Sequence, residues 1–349
     1  MKKRFFILTL LFLFLFLAFV ALTVFVIDPC FLYRKPSYSY SLQDERYQNN
    51  GILKHFEYDS VITGTSMTQN FSASEFDALF DCQSIKVCNS GGSYKEMHDR
   101  LQTGFSSNNS IKYVIWGLDY SFLLSDKDTM GYSDLPEHLY NDSFFDDYKY
   151  LLSKDALVLS IKCLIDTILH LEPTSFDDYS YWADNYSFGK KIVDRTYTRS
   201  ETKDVDHPFT DSDYVVLFEN LSQNILSLAK ANPQTEFFIF FPPYSIYYFD
   251  GLNNSGKLQR QLMAEKKAIE MLLQYDNVHL FSFFDEFEMI TNLENYKDAT
   301  HYGPWINSYI LKSLKERNHE LTMDNYIEYC NSVREFYSNY DYDRLFIKN

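Results

Sequence analysis

Residues 5 to 27, FFILTLLFLFLFLAFVALTVFVI, contain no charge, no Gly and no Pro. As a helix, these 23 residues can cross a hydrocarbon core of about 30 Å. A cleavable signal peptide has a shorter apolar region of about 7–15 residues, followed by small residues of the A-x-A type. Here the run ends in Val26-Ile27-Asp28-Pro29-Cys30, with Pro29 where a lipobox needs a small residue. The run therefore predicts an uncleaved, single-pass signal anchor over 5–27. Lys2, Lys3 and Arg4 precede it, and only Arg34 and Lys35 follow soon after. That bias predicts a cytoplasmic tip over 1–4 and a carboxyl-terminal body outside the cell membrane. No second apolar span appears, and a mean hydropathy of −0.31 predicts a water-soluble body.

The body is acidic, with a formal charge of −16, so phosphate backbones are repelled and nucleic acid is an unfavourable partner. Aromatic residues make up 18% of the chain, too apolar for disorder and suited to surfaces that stack on sugars. Five Cys, at 30, 82, 88, 163 and 330, form no metal-ligand spacing, and an odd count forbids a fully paired framework. Cys82 and Cys88 read as free thiols or as a pair. Glycine is scarce, 11 in 349, roughly half the usual share of about 7%. A chain this poor in Gly should place it where the backbone needs it.

Residues 28–58 lack a regular period and read as a stalk, in which Arg46 and Gln48 belong to a run dense in hydrogen-bonding groups, either a solvated turn or a set of substrate contacts. From residue 59 short apolar runs alternate with amphipathic stretches. Strands are expected at 59–64, 85–88, 113–117, 236–241 and 278–282, with helices between them. This order predicts an α/β fold with a parallel sheet covered on both faces. Residues 123–210 interrupt the alternation and read as a mostly helical insertion or cap, with one clear helix near 154–170. The body domain is thus expected over 59–319, with a carboxyl-terminal tail over 320–349.

Ligands of such sheets bind beyond the carboxyl ends of the strands. The first three ends carry Gly64-Thr65-Ser66-Met67, Asn89-Ser90-Gly91-Gly92-Ser93 and Gly117-Leu118-Asp119, and a later turn carries Asp298-Ala299-Thr300-His301-Tyr302-Gly303-Pro304. A hydroxyl on a turn, a His to take its proton, a carboxylate to orient the His and amides to hold an oxyanion make up a serine nucleophile. Asp298 and His301 are three apart, so the carboxylate can reach Nδ1 and leave Nε2 facing Ser66.

These blocks resemble the SGNH/GDSL hydrolase family, in which Gly-Asp-Ser ends the first strand, Gly-x-Asn the third, and Asp-x-x-His lies near the carboxyl end. The resemblance implies a flavodoxin-like three-layer α/β/α fold, Ser66 as nucleophile, His301 as base and Asp298 as its orienting acid. It implies an oxyanion glycine at Gly91 or Gly92; Asn89 is a candidate donor from outside the family's pattern. The chain departs from the pattern at Thr65, which replaces Asp, and at Asp119, which replaces Asn. An ionised Asp119 accepts hydrogen bonds and cannot donate one to an oxyanion, which leaves it as a substrate-binding candidate. The anchor-plus-body architecture is similar to that of envelope proteins such as the D-alanyl transfer and alginate O-acetylation proteins.

The resemblance implies an extracytoplasmic esterase or O-acyltransferase acting on an acylated saccharide or glycopolymer of the cell envelope. It requires no metal or other cofactor, and a membrane O-acyltransferase is the partner the architecture suits. The alternative is an inactive binding or assembly protein of the envelope, for which Thr65 and Asp119 speak. Tyr181, Trp182 and Tyr186 could form a sugar platform or pack the insertion onto the body.

Overall fold

Six short runs, each buried almost throughout, form a single sheet: β1 (Ser60–Thr63), β2 (Ser84–Lys86), β3 (Tyr113–Gly117), β4 (Glu236–Phe241), β5 (Val278–Ser282) and β6 (Glu320–Leu321). The structure, a computed structural model, describes residues 2–107, 110–132 and 134–346. The strand order is β2-β1-β3-β4-β5-β6, with every pair parallel except β5 with β6. This is the doubly wound order whose switch point lies between β1 and β3, and it bears out the expected α/β fold with a parallel sheet. Continuous apolar strands such as β4, EFFIFF, fit a sheet covered on both faces. Because parallel crossovers are right-handed, helix Ala73–Phe80 lies on one face and helices Tyr94–Ser106, Asp211–Leu221 and Leu258–Leu272 on the other. Helix Pro304–Glu316 packs with Ala73–Phe80.

The chain divides into two units, Tyr58–Tyr132 with Tyr181–Asn349, and Met1–Glu57 with Ser133–Ser180. The first contains the whole sheet. The expected tail belongs to it: β6 closes the sheet edge, and helix Tyr326–Asn339 packs on Leu258–Leu272. Tyr337 stacks on Phe249 and donates its hydroxyl to the Phe284 carbonyl.

The second unit replaces the expected stalk and much of the expected insertion. It contains helix Lys2–Ile27, which is long and apolar enough to cross a membrane, with helices Glu45–His55 and Lys154–Ile168. Val24, Cys30, Leu139, Tyr150 and Ala156 form its buried cluster. The loop after the span is held by Asp28, whose carboxylate accepts from the amides of Leu32, Tyr33 and Arg34 and from the Tyr150 hydroxyl. Residues 28–57 therefore close on 133–180 instead of forming a stalk, and Tyr58, 123–132 and 181–210 belong to the sheet unit. All five cysteines are free thiols.

Candidate active site

Gly64, directly after β1, and Gly117, the last residue of β3, both stand where the Thr68 side chain leaves no room for a Cβ. Gly64 has φ +141, in the region that favours Gly, and a Cβ there would meet the Thr68 side chain at 2.7 Å. A Cβ on Gly117 would meet Thr68 Cγ2, also at 2.7 Å. Thr68 closes the turn by donating both its amide and its hydroxyl to the Thr65 carbonyl. This turn presents Ser66.

Ser66 Oγ lies 2.7 Å from His301 Nε2. His301 Nδ1 lies 2.8 Å from Asp298 Oδ2 and 3.0 Å from Oδ1. Oδ1 also accepts from the backbone amides of Thr300 and His301, so the carboxylate shapes the loop that holds the imidazole. Burial alone would raise the Asp298 carboxyl. The hydrogen bond and charge of His301 and the two loop amides outweigh it and hold the group well below the ordinary carboxylate range. Asp298 is therefore an acceptor for Nδ1–H, which leaves the Nε2 lone pair for the serine proton. Pro304 opens the next helix at its first turn, where a missing amide costs nothing. The structure thus brings Ser66, His301 and Asp298 together in the order expected from the sequence.

The second turn supplies the glycines. Gly92 is buried against Asn89, and its amide donates to the Asn89 carbonyl at 2.9 Å. Gly91 is exposed, with φ +69 and open space where a Cβ would stand. Asn89 is buried beneath Gly92. Helix Tyr94–Ser106 starts directly after the turn, with a capping box between Ser93 and Glu96.

Two of the three remaining expected contacts, Asp119 and Gln48, are corrected by their partners. Asp119 does not face an open subsite: its carboxylate accepts from the hydroxyls of Thr65, Ser121 and Tyr244, and its carbonyl accepts from Tyr94. Gln48 is fully buried in the other unit. Its amide donates to the Pro29 and Ser41 carbonyls and accepts from the Gln43 and Asp44 amides, which leaves it no role with a substrate. Arg46, in the same unit, pairs with Asp44 at 3.5 Å and Asp134 at 3.9 Å and lines a cavity of that unit of about 490 Å³.

The nucleophile turn is fastened by Trp182, expected as a packing or platform residue, and by Tyr302 and Asn307, for which the sequence suggested no role. Trp182 Nε1 donates to the Ser66 carbonyl at 3.0 Å, and the Tyr302 hydroxyl and Asn307 amide both donate to the Met67 carbonyl at 3.2 Å. Trp182 also sets its edge against the His301 ring, 5.5 Å between centroids. Tyr186, Phe188 and Trp305 continue from it as an aromatic wall, with Tyr186 54% and Trp305 48% exposed. Lys297 lies over Trp182 and Tyr186, a cation on two π faces. Of the two readings of this cluster, the structure shows packing: Trp182 braces the triad, while Tyr186 and Trp305 are open to solvent.

No protein-family model matches the chain, and no curated protein matches it. Among solved structures, one provisionally described as a platelet activating factor from Streptococcus pneumonia aligns over 78% of this chain and 91% of its own. The identity is 11% and the TM-score 0.39, a likeness too slight to carry an argument, so the site rests on the residues of this chain.

Proposed function

We propose that the chain is a membrane-anchored serine esterase or O-acyltransferase of the SGNH type, acting outside the cell on acyl esters of an envelope saccharide or glycopolymer. The observation that carries this reading is the unbroken Ser66–His301–Asp298 relay, with contacts of 2.7 and 2.8 Å. Ser66 Oγ attacks the acyl carbon as its proton passes to His301 Nε2, and Asp298 steadies the imidazolium. The amides of Ser66 and Gly91 serve the tetrahedral oxyanion, since Gly92 is committed to Asn89. His301 then returns the proton to the leaving oxygen. Water or a saccharide hydroxyl, activated by the same His, resolves the acyl-enzyme. The wall of Trp182, Tyr186, Phe188 and Trp305 suits the apolar face of a sugar ring.

The inactive-module reading rested on Thr65 and Asp119, and these residues bind one another without touching the relay. The test is to supply the full chain with an aryl acetate, with and without an oligosaccharide acceptor. Acetate release in both conditions supports an esterase, and acceptor-dependent acetyl-sugar supports a transferase. Neither product from folded protein overturns the proposal.

A further inference from the structure

Helix Lys154–Ile168 carries three faces. Ala156, Ser160 and Cys163 are buried, and the helix packs on Lys2–Ile27, the span. Small residues are what helices use when they approach one another in lipid. A second face carries Lys162 and Asp166, ion-paired one turn apart. The third carries Val158, Ile161, Ile165 and Ile168, large aliphatic side chains at helical spacing that are all exposed, Ile168 at 73%. Phe144 and Phe145, on the same unit, are 82% and 95% exposed. This helix is inverted relative to one in a water-soluble body, where the large aliphatic face is buried and the small or polar one faces solvent.

Its depth follows from the span. An apolar run that starts at Phe5 uses about 20 residues to cross the hydrocarbon, which places Val20 and Val24 inside its outer boundary. Val20, Val24 and Ile27 are the buried residues of the span, and Val24 shares a packed cluster with Ala156 and Tyr150. A helix seated there is at the membrane surface, beside a span that exposes Phe19, Leu22 and Val26.

We propose that helix Lys154–Ile168 lies in the outer interface of the bilayer with its Val158–Ile161–Ile165–Ile168 face in lipid, and that Phe144 and Phe145 enter the same layer. The unit is then bedded in the membrane surface against one side of the end of the span. This is independent of the chemistry at Ser66.

The test uses the full chain in phosphatidylcholine vesicles made with and without brominated acyl chains. Ile165→Trp and Ile168→Trp add fluorophores on the aliphatic face, and Lys162→Trp adds one on the polar face. All three positions are on the surface, and circular dichroism confirms the fold. After subtraction of the unsubstituted protein's emission, the account expects blue-shifted emission from Ile165→Trp and Ile168→Trp, reduced at least about twofold by bromine, with Lys162→Trp little affected. Red-shifted, unquenched emission at 165 and 168, or equal quenching at 162, overturns it. Blue-shifted emission that bromine does not quench also overturns it and assigns the face to a second copy of the chain.

Discussion

Thr65 Oγ1 donates a 2.7 Å hydrogen bond to Asp119 Oδ2, joining the ends of β1 and β3 beside the nucleophile turn. These are the two positions at which the chain departs from the pattern it resembles. A carboxylate expected on the first turn stands instead on the third, and a hydroxyl takes its place. Asp119→Ala would leave the hydroxyls of Thr65, Ser121 and Tyr244 without this acceptor, at a cost of about 1–3 kcal/mol. Denaturant unfolding checks the size, and a double-mutant cycle with Thr65→Val should show coupling above about 0.5 kcal/mol. Additivity would show that the pair does not act together.

Asp298→Asn keeps the shape of the loop acceptor but loses the charge that steadies the imidazolium. The expected effect is a fall in kcat of roughly 10²–10⁴-fold with little change in KM, read with an aryl ester. An unchanged kcat would remove Asp298 from the relay.

Trp305 stands apart from the relay, with its ring over Gly303 and its edge toward Phe188. Trp305→Ala should raise KM for a saccharide ester while leaving kcat for a small aryl ester within about twofold. Equal effects on both substrates would assign the wall to structure alone. Trp182→Ala should lower kcat for both, because it also frees the Ser66 carbonyl.

Glu265 is a buried carboxyl among the hydroxyls of Tyr329, Tyr120 and Ser282. Burial pushes it up to about 7 from an ordinary 4.5, against the lowering effect of those hydroxyls. Between these values the folded chain keeps a proton that the unfolded chain has released. Stability from this group is thus present below about 4.5 and is lost as pH rises through about 7. The contribution is on the order of 3 kcal/mol. The thermal midpoint should fall between about pH 5 and pH 8, and Glu265→Gln should flatten that slope. An unchanged slope in the variant would place the pH dependence elsewhere.

The site was legible where chemistry and backbone constraint share a few consecutive residues. Gly64 and Gly117 mark strand ends that admit no Cβ, and Asp298 and His301 sit at the spacing one loop can close. Residues 28–58 were not legible, because what folds them comes from far along the chain: Tyr150 reaches Asp28, and Tyr140 reaches the Arg46 carbonyl. Gln48 looked available because its partners are backbone groups, which leave no mark in sequence. β6 has two residues, too few to show alternation. Phe188 meets Trp182, and Trp305 meets Phe188, only in the fold.

The central claim is that Ser66 is a nucleophile activated by His301. Its most direct test is to treat the folded full chain with a fluorophosphonate and map the adduct by mass spectrometry. The account predicts a single adduct on Ser66, abolished in Ser66→Ala and strongly slowed in His301→Ala. No adduct at saturating reagent, or one that persists in Ser66→Ala, would contradict it.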